Sequence, residues 1–214
     1  MKEKTYVEDV DRSMYDFRNE DKDAYKVKEG LNPAIVEQIS REKNDPLWMR
    51  MFRLESLQIF NESKMPDEWG PSIEGLDMDN IVTYVRPNTH MAAKWSEVPE
   101  EIKDTFEKLG IPKAERESLA GVGAQYDSEL VYHNVKEEVA AQGVIYTDME
   151  SALNGEYADM VRKHFMKLVP PTDHKFAALH GAVWSGGSFV YVPKGVSVTI
   201  PLQSYFRLNA PGAG

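Results

Sequence analysis

Apolar positions follow two rhythms along this chain. Up to about residue 184 they recur at spacings of three and four, the period of a helix face. After Gly187 they recur at every second residue, the period of a strand. The stretch LNPAIVEQISREKND predicts the first helix, with Asn32 as N-cap, Pro33 at the first helical position, and Ile35 and Ile39 on one face. A second helix is predicted over LWMRMFRLESLQIF, capped by Asp45 with Pro46 behind it. Its apolar residues Leu47, Trp48, Met51, Phe52, Leu54, Ile59 and Phe60 form a wide stripe that predicts deep burial. Residues 65–87 read as extended chain with a turn at Trp69-Gly70-Pro71 and a short strand at IVTYV. WSEVPEEIKDTFEKLGIP reads as a helix buried through Ile102, Phe106 and Leu109, ended by Gly110 and Pro112. A short helix to Leu119 follows, then AGVGAQYDSELVYHNV, glycine-marked and afterwards strand-like. QGVIYTDMESALN predicts a strand and a capping box of Thr147 with Glu150. Two more helices are expected over EYADMVRKHFMKLVPP and DHKFAALHGAVW.

Beyond SGGS, Phe189 and Tyr191 alternate with Val190 and Val192, and Val196, Val198 and Ile200 take alternate places before LQSYFRL. A piece of two or three strands is marginal in water and leaves an adhesive edge. These strands are therefore expected to find their partners in chain beyond Gly214. Their close spacing suits a meander, a sandwich or the coils of a β-helix. The fold class is α+β, divided into a charged flexible arm (1–30), a mainly helical region (31–184) and the start of a β domain (185–214), with Ser185–Ser188 as hinge.

Composition narrows the function classes. The 214 residues carry a formal net charge of −10 and contain no cysteine. Disulfides, thiolate metal sites and a cysteine nucleophile are thereby excluded within these residues. No basic tract is long enough to follow a phosphate backbone, so nucleic acid is not expected as a partner. No apolar run reaches membrane-helix length, and MKEKTYVEDVDR has no signal-peptide core, so a cytoplasmic location is expected.

Candidate chemistry is sparse. Gly121-Val-Gly123-Ala-Gln-Tyr126 resembles a dinucleotide loop but has Tyr126 where the third glycine belongs, and strand-like sequence follows it; a structural turn is expected instead. The histidines His90, His133, His164, His174 and His180 form no H-x-x-x-H pair, and His174 and His180 fall on nearly opposite faces of a helix, so no metal site is expected. Arg207 and Asn209 share one face of the last strand, opposite Phe206 and Leu208. They are solvent-facing if the apolar face packs inward, or they line a polar interior if the sheet curls. The alternative to a non-enzymatic role is a nucleotide- or metal-binding enzyme using the Gly121–Tyr126 loop and the scattered histidines.

Together, PEEIKDTFEKLGIPKAERESLAGVGAQYDSELVYH, GVIYTDMESAL, VPPTDHKFAALHGAVWSGGSFVYVPKGVSV and PLQSYFRLNA resemble the N-terminal part of SufB-type members of the SufB/SufD family. The resemblance runs from about residue 30 to the end; the helical preamble and GVGAQY are similar to SufB more than to SufD. It implies a non-catalytic scaffold for iron–sulfur cluster assembly. It also implies that Phe189–Asn209 are the first coils of a right-handed parallel β-helix cut short in this chain. The implied partners are a SufC-like ATPase, a SufD-like subunit and a sulfur donor system. The implied cluster is held only in the full-length family protein, by residues beyond Gly214. Arg207 and Asn209 match the family's F-R-[I/L]-N element, which implies that they face the sulfur route inside the β-helix.

Overall fold

The computed structural model describes residues 23–66, 73–87, 94–109 and 121–208. The arm up to residue 22, the Trp69-Gly70-Pro71 turn, Gly110, Pro112, the short helix to Leu119, and Asn209 lie outside the described residues. The helices are α1 (Pro33–Glu42), α2 (Leu47–Glu62), α3 (Glu100–Lys108), α4 (Glu137–Ala140), α5 (Met149–Asn154), α6 (Ala158–His164) and α7 (Lys175–Val183). The strands are β1 (Asp23–Lys26), β2 (Val85–Pro87), β3 (Gly121–Tyr126), β4 (Glu129–Val135), β5 (Ile145–Asp148), β6 (Ser188–Tyr191) and β7 (Leu202–Arg207). The chain is thus a mixture of helix and short strand.

Asn32 caps α1 as its sequence predicts, its Oδ1 accepting from the Ala34 and Ile35 amides at 3.0 and 3.2 Å. Asp45 does not cap α2. Pro46 takes the N-cap place with no side-chain hydrogen bond, and the Asp45 carboxylate is held by Arg53 Nε at 2.6 Å instead. The expected stripe on α2 is met in part. Leu47 is 72% exposed and Met51 is exposed, while the buried positions are Met49, Arg53, Ser56, Leu57 and Phe60. Phe60 is buried, and Trp48, Phe52, Leu54 and Ile59 pack half-buried on the cores. The stripe thus holds except at Leu47 and Met51, and the polar Arg53 and Ser56 join the buried face. Ser56 is buried because α7 crosses there: a Cβ on Gly181 would lie 2.5 Å from Ser56 Oγ. The small pair brings the two backbones together, and Val36, Leu57, Phe60, Ala178 and Ala182 fill the core on either side. A neighbouring core of Met49, Ala152, Leu153, Val161 and Trp184 joins α2 to α5 and α6.

Residues 23–30, read from composition as the end of the arm, are not arm. β1 pairs antiparallel with β2, and Val27 is buried in a cluster with Ile35, Ile39 and Tyr84. Alternate apolar side chains at Tyr25 and Val27 outweigh the charges around them, because they meet an apolar wall.

The strands beyond Gly187 take their partners from upstream. β6 pairs antiparallel with β5, and β7 lies parallel on β3 in the register Gly121↔Leu202 to Tyr126↔Arg207. β3 also pairs antiparallel with β4, giving the strand order β4-β3-β7. Val196, Val198 and Ile200 form no strand, yet pack on Val139 and Val144. Gly121–Tyr126 is therefore neither turn nor phosphate loop. It is the central strand of this sheet, and its two faces are used differently. Val122, Ala124 and Tyr126 pack with Val98, Ile102 and Phe106 around α3. Gly121 and Gly123 leave the other face bare for Tyr146, whose ring would sit 2.5 Å from a Cβ at residue 121. The Tyr146 hydroxyl then reaches across to β7, donating to the Gln203 carbonyl at 2.8 Å and lying 2.7 Å from Ser204 Oγ.

Gly121→Val places a branched side chain into that ring and should lower unfolding free energy by about 1–3 kcal/mol in denaturant titration. Combining it with Tyr146→Ala should cost less than the sum of the two single changes. Strict additivity would show that the ring and the glycine do not share the space.

Candidate functional site

Lys43, at the C-terminal end of α1, is the centre of a polar network that joins segments distant in sequence. Its side chain is 3% exposed, and its Nζ lies 2.7 Å from Glu129 Oε1 and 3.0 Å from Glu150 Oε1. The ammonium also stands 5.3 Å from the centroid of the Tyr84 ring. The Tyr84 hydroxyl donates to the same Glu129 oxygen at 2.5 Å. Burial, then the Glu129 hydrogen bond and charge, push the Tyr84 phenol well above the usual tyrosine range, so it remains a protonated donor. Glu150 Oε1 accepts in addition from the Gly186 amide at 2.7 Å. Gln125 Oε1 accepts from the Gly187 amide at 3.0 Å, and Gln125 Nε2 donates to the Asp127 carbonyl at 3.0 Å.

The Ser185–Ser188 stretch is accordingly a fixed turn, not a free hinge. Gly186 and Gly187 have φ of +65° and +97°, and a Cβ on Gly186 would come within 2.3 Å of Gln125 Oε1. Only glycine suits a left-handed backbone this close to a side chain. Glu150 serves this turn and Lys43 rather than the capping box expected with Thr147; Asp148 Oδ1 caps α5 instead, accepting from the Ser151 amide at 2.7 Å. Sequence reasoning missed Lys43, Glu129 and Gln125 altogether. Each looks like an ordinary surface residue, and only the fold brings them together.

Other sequence-predicted residues separate. Arg207 is half-buried at the end of β7, on the face that carries Tyr205 against Phe106, and its carbonyl accepts from the Asp127 amide at 2.7 Å. Phe206 and Leu208, not Arg207, are the exposed side chains, at 62% and 61%. His90 lies outside the described residues, and His133 is on β4. His164, His174 and His180, which the sequence appeared to scatter, line one cleft. His174 lies before α7 and caps it, its Nδ1 accepting from the Phe176 and Ala177 amides at 3.1 and 3.3 Å, so helical spacing does not apply to it. Among the described residues no three His, Asp or Glu side chains converge as metal ligands. The enzyme alternative loses its phosphate loop, because Gly121–Tyr126 is a covered strand.

A second buried charge lies behind the histidine cleft. Arg53 and Asp45 are both fully buried, and Arg53 Nη1 donates to the Ala182 and Trp184 carbonyls at 3.3 and 2.8 Å. The protein packed around His180, and next the Arg53 guanidinium, hold the His180 imidazole below the ordinary histidine value. The unfolded chain, titrating near about 6.5, then takes that proton first. The stability contributed by neutral His180 is complete above that pH and declines as pH falls through it.

NMR titration should place the His180 midpoint below about 6.5; a midpoint at or above it contradicts the effect of burial and of Arg53. Lys43→Met strands two partly buried carboxylates and should cost about 3 kcal/mol of stability. Adding Glu129→Gln and Glu150→Gln should restore part of that. No loss in the single variant would mean that the network does not hold the fold.

Residues 36–204 match the family model described as the SufBD protein N-terminal region. Over 206 residues the chain is 52% identical to the iron–sulfur cluster assembly protein SufB of Bacillus subtilis (strain 168), covering 96% of this chain and 44% of that protein. Iron–sulfur cluster assembly SufBD family proteins of Staphylococcus epidermidis and Staphylococcus aureus are 50% and 48% identical over the same shares. The chain thus spans less than half the length of these relatives. Among the described residues no helix is long and apolar enough to cross a membrane. The chain belongs to the SufB/SufD family of iron–sulfur cluster assembly proteins, whose N-terminal region it matches.

Proposed function

We propose that this chain supplies the N-terminal region of a SufB-type scaffold, a non-catalytic component working in the cytoplasm with a SufC-like ATPase, a SufD-like subunit and a sulfur donor system. The family match over residues 36–204 carries the reading. The polar network around Lys43 serves such a part by fixing segments distant in sequence. β7, laid parallel on β3, is on this reading the first rung of a right-handed parallel β-helix that begins after the Gly186–Gly187 turn. Arg207 and Asn209 then face its interior as part of a sulfur route. The iron–sulfur cluster belongs to the full-length protein.

The test compares this chain with a form extended to the full length of its relatives. Each is co-expressed anaerobically with its genomic neighbours, purified, and assayed for iron, sulfide and co-eluting ATPase. The extended form alone should carry cluster and partners. Iron and sulfide held stoichiometrically by the 214-residue chain would overturn the assignment of cluster binding to sequence beyond it.

A further inference from the structure

On a chain of net charge −10, one cleft is lined by a lysine, three histidines and apolar side chains, of which Leu168 and Val169 stand in water. It lies between the end of α6 and the body of α7 and has a volume of about 480 Å³. Its ionisable lining is His164, Lys167, His174 and His180, with no carboxylate among them. Asp173 stands 3.8 Å from His174 Nε2, outside that lining. Leu168, in the wall, is 99% exposed, the most exposed large apolar side chain among the described residues, and Val169 beside it is also exposed. A second cleft of about 630 Å³ meets the first at His164 and adds Lys163 together with Asp159. Nearby cations are already engaged: Arg162 stacks over Trp48, and Lys175 Nζ donates to the Phe60 and Ser63 carbonyls. Lys163 and Lys167 face the clefts.

A scattered exposed leucine needs no explanation, but an apolar patch flanked by two lysines on an acidic protein marks a contact surface. Charge complementarity selects the partner. A basic segment would meet Lys163 and Lys167 with like charge, whereas an acidic one is attracted and steered in. Two lysines are too few to track a nucleic-acid backbone, and α6 has no broad cationic face for lipid. We propose that these joined clefts dock an acidic segment of a partner protein, with a bulky apolar side chain seated on Leu168 and Val169 and carboxylates beside Lys163 and Lys167. This rests on surface chemistry alone and stands whether or not the scaffold reading above does.

Panning a random dodecapeptide display library on the folded chain tests it directly. Selected peptides should combine Asp or Glu with Leu, Phe or Trp, and bind about tenfold more weakly to a Lys163→Glu/Lys167→Glu/Leu168→Ser variant of unchanged circular dichroism. Leu168→Ser alone should weaken them too, and added salt should weaken binding to the unaltered protein. The proposal is overturned if nothing is enriched, if the peptides lack an acidic bias, or if the variants bind them equally well. It is overturned equally if a short RNA, vesicles containing anionic lipid, or self-association in sedimentation shows the Lys163, Lys167 and Leu168 dependence while the peptides do not.

Discussion

The guanidinium of Arg53 is where the helical arrangement is decided. A cation taken wholly out of water is tolerated only when charge and hydrogen bonds replace its hydration. Asp45 supplies the charge at 2.6 Å, the Ala182 and Trp184 carbonyls supply acceptors, and the Trp184 ring covers the group at 4.6 Å. Those carbonyls stand at the C-terminal end of α7, where backbone acceptors lack helical partners and the dipole favours positive charge. Arg53 therefore fixes the place on α7 that α2 can bury. The Ser56–Gly181 contact, one turn along α2, follows from the same crossing.

That crossing also sets the direction in which the chain leaves α7. Trp184 is held in the core, and the following turn is caught by its amides, Gly186 on Glu150 and Gly187 on Gln125. Lys43 pairs with Glu150 and Glu129 at once, so α1, α5, the β3–β4 hairpin and the turn are joined through one ammonium. From there β6 is placed on β5, and β7 arrives parallel to β3. The network acts by position: it delivers the last strands to partners laid down far upstream, Gly121 meeting Leu202 and Asp148 meeting Ser188.

Much of the local structure was legible. The Asn32-Pro33 start of α1, the Ile102 and Phe106 face of α3, and the change from helical to strand rhythm at Gly187 follow from backbone sterics and short-range spacing. Errors arose wherever a polar residue had a distant partner. Asp45 and Glu150 both occupy good capping positions, yet a buried cation claims each. Gly121 and Gly123 suggest a turn because glycine is permissive, whereas their role is to lack side chains beneath Tyr146.

The histidines show the same division. Spacing along an assumed helix puts His174 and His180 apart, while a cap outside α7 puts them with His164 in one cleft. By itself the sequence determined the family, the helices of its first part, the strand character of its last part, and the lack of cysteine within these 214 residues. The tertiary structure alone decided which strands pair, which charges are buried, and which polar residues of α2 join its core face. Periodicity is a local property of the backbone, but desolvation of a charge and pairing of a strand depend on groups that meet only after the chain has folded.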